Sequence, residues 1–184
     1  MNIMVDFDFT AYPALFQRIA WGRVDAQFEL FVPPDDKVSN VSIVPFVGDR
    51  CVVIQLSNGR WEMPGGTLEK DESYVAALKR ELVEEAGASL ISSFHPIGAW
   101  RCYSRYEQSY KSHLPFPHFY RIAGYGDVEI IAKPSNPSDG EEVALVEIIS
   151  VKEAVMRFHE SERKDLADLY RYAERMRRAS AFIT

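Results

Sequence analysis

Two apolar runs, residues 41–47 and 51–56, flank Gly48-Asp49 and predict a β-hairpin. Pro45 lies inside the first run, which places that strand at a sheet edge or a bulge. Asn58-Gly59 predicts a second turn, leading to Trp61 and the pair Gly65-Gly66. Upstream, residues 10–21 read as a short helix capped by Thr10, with Pro13 in its first turn and Leu15, Phe16 and Ile19 on one face. Residues 28–32 read as a strand stopped by Pro33-Pro34. Downstream, residues 90–103 hold strand material broken near Pro96, followed by a polar and aromatic loop over 104–118. Further strands are expected at 119–124, 128–131 and 143–149, with a Pro- and Ser-rich loop at 132–139. Ser150 with Glu153 forms a capping box that opens a helix at Val151, and a last helix spans 162–178. This order, without internal repeats, predicts an α/β fold: a mixed sheet with helices on its faces.

Between the two halves lies residues 66–88, GTLEKDESYVAALKRELVEEAGA. Asp71 is a candidate N-cap and Gly87 a candidate left-handed stop, leaving a helix of roughly 15 residues between them. At about 100° per residue, Glu81, Glu84 and Glu85 share one edge, while Val75, Leu78, Leu82 and Ala86 form the neighbouring apolar stripe. Like charges three and four apart repel by a few tenths of a kcal/mol, at roughly 0.2–0.5 per pair. A divalent cation turns that repulsion into binding, and oxygen-only ligands select a hard one, Mg²⁺ or Mn²⁺. Taken alone, three glutamates are more often a solvated helix face.

The full constellation changes that weighing. Gly66, Glu72, Arg80-Glu81-Leu82, Glu84-Glu85 and Gly87 stand at spacings that resemble the signature box of the Nudix hydrolases, and Trp61-Glu62-Met63-Pro64-Gly65 resembles its usual approach. Ala88 departs from the larger aliphatic residue usual there, which bears on packing at the helix exit. The resemblance implies an α/β/α sandwich comprising residues 1–184 as one domain, with 1–38 an extension and 39–184 the core. It implies a Mg²⁺-dependent pyrophosphohydrolase that cleaves a diphosphate bond in a nucleoside diphosphate linked to another group. By matched positions, Glu81 and Glu85 would bind metal, with Glu84 a further ligand, direct or through water, and the Gly65 carbonyl a backbone ligand; a box glutamate such as Glu84 can also be the catalytic base in this family. Arg80 would orient a carboxylate, and Glu72 would pair with Arg80 or help settle the loop. A loop acid outside the box can serve as base in this family, and Glu142, after Gly140-Glu141, stands where one is expected.

Substrate choice is less marked. Tyr106, Phe116 and His118 in the 104–118 loop are candidate binding residues; Tyr110 is a further aromatic there, and Trp61 is either a core aromatic or a wall of the site. The proline expected about 16 residues past the box in ADP-ribose enzymes has no counterpart at that spacing. Two alternatives remain at this level: a Nudix-like nucleotide-binding or regulatory module without turnover, and an RNA 5′-end pyrophosphohydrolase.

A length of 184 residues suits one substantial core, and a net charge of −6 argues against a nucleic-acid partner while leaving a small nucleotide substrate open. Cys51 and Cys102 are too few for a disulfide framework, and no apolar run approaches a membrane span, so a cytoplasmic setting without membrane contact is the expectation. The front segment could cover its own sheet or exchange with a second copy in a homodimer. The arginines at 171, 175, 177 and 178 read as complements to a helix C-terminus.

Overall fold

The computed structural model describes residues 8–137 and 140–180; the start over 1–7, and Ser138 and Asp139 of the loop expected at 132–139, lie outside the described residues. The strands are β1 (Ile19–Trp21), β2 (Val24–Glu29), β3 (Val38–Val47), β4 (Arg50–Leu56), β5 (Trp61–Glu62), β6 (Gly65–Thr67), β7 (Ala88–Leu90), β8 (His95–Ser104), β9 (His118–Ile130) and β10 (Val143–Ile149). The helices are α1 (Pro13–Phe16), α2 (Tyr74–Glu81), α3 (Val151–Glu160) and α4 (Lys164–Ser180). Among the described residues the sheet runs β1-β2-β8-β9-β3-β4-β10, with β5 on β4, β6 on β3 and β7 on β9.

The mixed character comes from one pairing. β3 runs parallel to β9, while the other ladders are antiparallel. β3 is buried along nearly its whole length, as a strand covered on both faces must be. One face packs Val41, Ile43, Val52 and Ile54 against Leu78, Leu82 and Ala86 of the box helix. The other packs Val44, Phe46 and Val53 against Phe158, Leu169 and Tyr170 of the C-terminal helices. The expected three-layer α/β/α arrangement is therefore present.

Pro45 sits in this central strand and not at an edge. β4 pairs with β3 only at Phe46↔Cys51 and Val47↔Arg50, and β6 takes over at Asn40–Ser42. Pro45 falls in the gap between the two ladders, where no amide is needed on that side. That gap is what admits the 61–67 segment into the sheet.

Other boundaries moved for local reasons. The front helix is short: Asp8, not Thr10, caps a 3₁₀ turn over Phe9–Ala11, and α1 ends at Phe16 because β1 follows. The strand expected at 28–32 is β2, which ends at Glu29 and leaves Leu30, Phe31 and Val32 exposed. β8 continues through Pro96 by a bulge before Gly98, and β9 is one strand where two were expected. Asp71 is not the cap of α2; it holds a left-handed conformation with φ 61°, and Ser73 caps instead, its Oγ accepting from Ala76 N at 3.2 Å. The box helix widens into a π turn over Leu82–Ala86 and stops at Gly87, whose φ is 59°. The capping box of Ser150 and Glu153 forms as read. The last helix begins at Lys164 because Glu162 adopts φ 56°.

The front segment covers its own chain. Ala14 N donates to Asp168 Oδ2 of α4 at 2.8 Å, and β2 pairs with β8 along its full length. Arg177 does more than complement a helix end: it binds Asp127 of β9 at 2.6 Å and lies over the Phe46 ring. Cys51 and Cys102 are buried, and burial pushes both thiols up to about 12. Among the described residues no helix is long and apolar enough to cross a membrane.

Gly87 is the helix stop on which the box depends. A Cβ there would stand 2.2 Å from the Ala132 carbonyl oxygen, on a backbone that L side chains rarely adopt. Gly87→Ala is expected to cost at least about 2 kcal/mol, lowering Tm by roughly 4–8 °C for a chain of this size. Thermal unfolding by circular dichroism checks this; an unchanged Tm would contradict it.

Candidate active site

The site forms where β6 meets the box helix. β6 pairs with Asn40–Ser42 of β3, and the Gly65-Gly66 backbone passes directly over Glu81 and Glu85. A Cβ on Gly66 would lie 2.0 Å from Glu81 Oε1, so only glycine fits this approach without displacing the carboxylate. Gly65 N donates to Glu85 Oε2 at 2.9 Å.

Arg80 is the hub. Its Nε and Nη2 donate to both oxygens of Glu72 at 3.0 Å, the planar fork that suits a carboxylate. Nη1 donates to Glu81 Oε1 at 2.7 Å and to Glu84 Oε2 at 3.1 Å, and Nη2 also reaches the Thr67 carbonyl at 3.1 Å. Glu72 Oε2 further accepts from Glu69 N at 2.8 Å, which fixes the turn before the helix. One guanidinium thus serves three glutamates and ties β6, the turn and the helix together.

The charges follow this geometry. Hydrogen bonding from Arg80 holds the Glu72 carboxyl below its usual value, and the same bond, with Glu81 adding, holds Arg80 above its own. Burial raises Glu81 against the pull of Arg80. Glu85 makes no ion pair among the described residues; its hydrogen-bond partner is the Gly65 amide. Burial pushes its carboxyl up to about 8, with Glu81, Glu141 and Glu62 adding to the rise and only the Gly65 amide opposing it.

Among the described residues no group of three acidic, histidine or cysteine side chains is already gathered around one point as a metal cage. Glu81 and Glu84 turn to Arg80, while Glu85 turns to Gly65. The donor set still suits a hard cation. It is made of carboxylate oxygens, and an uncompensated acid sits among three others.

Glu85 and Gly65 line a cleft of about 450 Å³. The loop acid in its wall is Glu141, which reaches Arg60 at 3.9 Å. Glu142, the acid expected there, is exposed and outside the cleft lining; its backbone carbonyl accepts from Ser57 N at 2.9 Å. Sequence reasoning also missed Glu62, Arg163 and Arg121 in this wall. Glu62 contacts Arg163 and pairs with Arg60 at 3.0 Å, and Arg163 is forked onto Asp165 at 3.0 Å. The only local hint was the place of Glu62 within the Trp-Glu-Met-Pro approach to the box.

Tyr106 and Phe116 line a second cavity of about 730 Å³, with Tyr110, Asn40 and Thr67 in its wall. Asn40 Nδ2 donates to Thr67 Oγ1 at 2.9 Å, linking this cavity to β6. His118 is apart from both, packed on Tyr103 with ring centroids 5.0 Å apart beside a smaller depression. Trp61 is core: it is 5% exposed and covered by Arg157, with 5.1 Å between the guanidinium carbon and the ring centroid.

The depressed Glu72 carboxyl carries a pH signature. Its folded value lies below the ordinary 4.5, so its ion pair stabilises the fold above that pH and the contribution fades as pH falls through the folded value. Glu72→Gln should lower stability by about 2 kcal/mol at neutral pH. The gap to the parent should close as the pH is taken below 4.5. Denaturant unfolding across pH checks this, and a gap that persists unchanged in acid would contradict it.

The family profile of the NUDIX domain matches residues 36–172. Over 56 residues the chain is 41% identical to a MutT-like protein of Streptomyces ambofaciens, a stretch covering 30% of this chain and only 36% of that relative's length. Among solved structures it is similar to the Bacillus subtilis pyrophosphohydrolase BsRppH, with a TM-score of 0.51 and 20% identity over 68% of this chain and 72% of that one. A NUDIX hydrolase from Nitrosomonas europaea aligns with a TM-score of 0.49 and 17% identity, over 74% of this chain and 91% of that one. The likeness to BsRppH speaks for the fold alone, whereas the profile spans most of the chain and includes the whole glutamate-bearing box. The chain belongs to the Nudix family.

Proposed function

We propose that this protein, read as one domain, is a Mg²⁺-dependent pyrophosphohydrolase (Mn²⁺ substituting) that cleaves a diphosphate bond in a small nucleotide by attack of water on phosphorus. The observation that carries the reading is Glu85: a half-buried carboxyl in a cleft, held by a backbone amide and by no ion pair among the described residues, beside a glycine bend. Glu81 and Glu85 would hold the cation, with Glu84 and the Gly65 carbonyl completing the protein's share. A divalent cation held there would neutralise phosphate charge and make the phosphorus more open to attack.

The chain's own residues supply positioning. Arg80 keeps Glu81 and Glu84 from swinging out to solvent, and Glu72 in turn fixes Arg80. Gly66 leaves the room that lets β6 and the carboxylates approach. We assign the loop-acid role to Glu141, whose carboxylate would accept the proton of the attacking water at the cleft wall. Tyr106 and Phe116 would form the wall for the rest of the nucleotide in the adjoining cavity. Two buried free thiols support a reducing, cytoplasmic setting.

Glu85→Gln should reduce metal-dependent hydrolysis by more than the roughly 100-fold typical of losing an outer partner of a metal site, with the fold kept. A product-detected panel of nucleoside triphosphates, nucleotide sugars and dinucleoside polyphosphates checks this. Equal turnover by parent and variant, or tight binding with no product after prolonged incubation with Mg²⁺, would contradict the reading.

A further inference from the structure

The cleft that contains Glu85 has a second feature that the box does not explain. Arg121 lines it from β9, half-buried, and among the described residues its side chain makes no hydrogen bond and no ion pair. Its side chain lies on the face of Trp21, with the guanidinium carbon 4.6 Å from the ring centroid, while the carboxylates of Glu62 and Asp165 act on it only at longer range. Burial holds Arg121 below the ordinary arginine value, the direction expected of a charge short of compensation. Arg163, in the same wall, is by contrast fully engaged by Asp165 and Glu62.

Arg121 is also placed with care. It stands opposite Trp100 in the β8–β9 ladder, and Trp21 packs edge-on to Trp100 with centroids 5.7 Å apart. Trp100 is 2% exposed, lines the cleft, and its Nε1–H is buried without an acceptor. On paired positions of β8 and β9, therefore, the buried Trp100 indole N–H and the Arg121 guanidinium both lack a hydrogen-bond acceptor among the described residues. A desolvated, unpaired guanidinium is a poor structural choice, since an apolar residue of similar size usually serves stability better. Its five N–H groups in a rigid fork match a phosphate oxyanion, whose charge would also offset its own. Trp21 comes from β1, outside the span matched by the family profile, so the front segment completes this wall.

We infer that Arg121, braced on Trp21 and Trp100, is a phosphate-binding residue of the cleft and that the β1–β2 segment exists in part to hold it. The inference deepens the pyrophosphohydrolase reading but can be tested without turnover. The phosphate could come from the nucleotide substrate or from free inorganic phosphate, and competition between them separates the sources.

The test uses the full chain and Arg121→Met. Inorganic phosphate, without added metal, is titrated against the parent and followed by intrinsic tryptophan fluorescence and calorimetry. Saturable binding to the parent, weakened at least tenfold in the variant, is the expected result, together with an unchanged or raised Tm. A Tm several degrees lower in the variant would assign Arg121 a structural role and overturn the inference, as would phosphate binding equal in both. Trp21→Leu, which leaves Arg121 in place, should weaken phosphate binding less than Arg121→Met; a Trp21 variant with full phosphate affinity would overturn the bracing role. With turnover measured, a raised KM in Arg121→Met and competitive inhibition of the parent by phosphate assign the site to a substrate phosphate. Noncompetitive inhibition lost in Arg121→Met assigns it to free phosphate. Absence of turnover by any nucleotide would defeat the hydrolase reading while leaving the metal-free phosphate result to stand or fall alone.

Discussion

Arg80 is shared by more negative charge than it can neutralise. Three glutamates take four of its N–H bonds and the Thr67 carbonyl a fifth, while a fourth glutamate, Glu85, is left beside them with a backbone amide for company. Replacing the box with neutral residues would relieve that imbalance, so the surplus is what the proposed cation would offset. The guanidinium is enough to keep the carboxylates in place but too little to satisfy them. In this arrangement the fold supplies the framework and leaves part of the electrostatics for a ligand to complete.

The framework itself rests on a strand that parts from its neighbour. β3 and β4 separate two pairs beyond their turn, and the space receives β6, which carries Gly65 and Gly66 to the box helix. Pro45 marks the parting because it needs no amide partner there. On the helix side, the π turn over Leu82–Ala86 falls across Glu84 and Glu85, a distortion of the sort that often accompanies a functional site. The two apolar cores on either side of β3 hold these pieces together without contributing chemistry.

How much could be read from the chain depended on the range of each interaction. The hairpin at Gly48-Asp49, the Ser150–Glu153 capping box and the Gly87 stop were legible because neighbours a few residues apart decide them. The pairing of Glu72 with Arg80 was legible through the family resemblance of the box. Asp71 misled because Ser73, two positions on, is as good a cap, and the left-handed turn at Asp71 leaves no ambiguity only once the chain is folded. Glu141 and Glu142 could not be told apart as neighbours in the chain; in the fold Glu141 lines the cleft and Glu142 does not, while the Glu142 carbonyl accepts from Ser57 N. Arg121 and Trp21 were invisible, since a contact between residues a hundred positions apart leaves no periodic trace.

The claim that the carboxylate surplus around Glu85 is a cation site is tested most directly by diffraction from crystals grown with Mn²⁺, using its anomalous signal. The account predicts a peak at ordinary metal–oxygen distance, roughly 2.0–2.2 Å, from the Glu85 and Glu81 carboxylates, with Glu72 still forked onto Arg80. No anomalous peak at saturating Mn²⁺, with Glu81 and Glu84 still closed on Arg80 and Glu85 on the Gly65 amide, would contradict it.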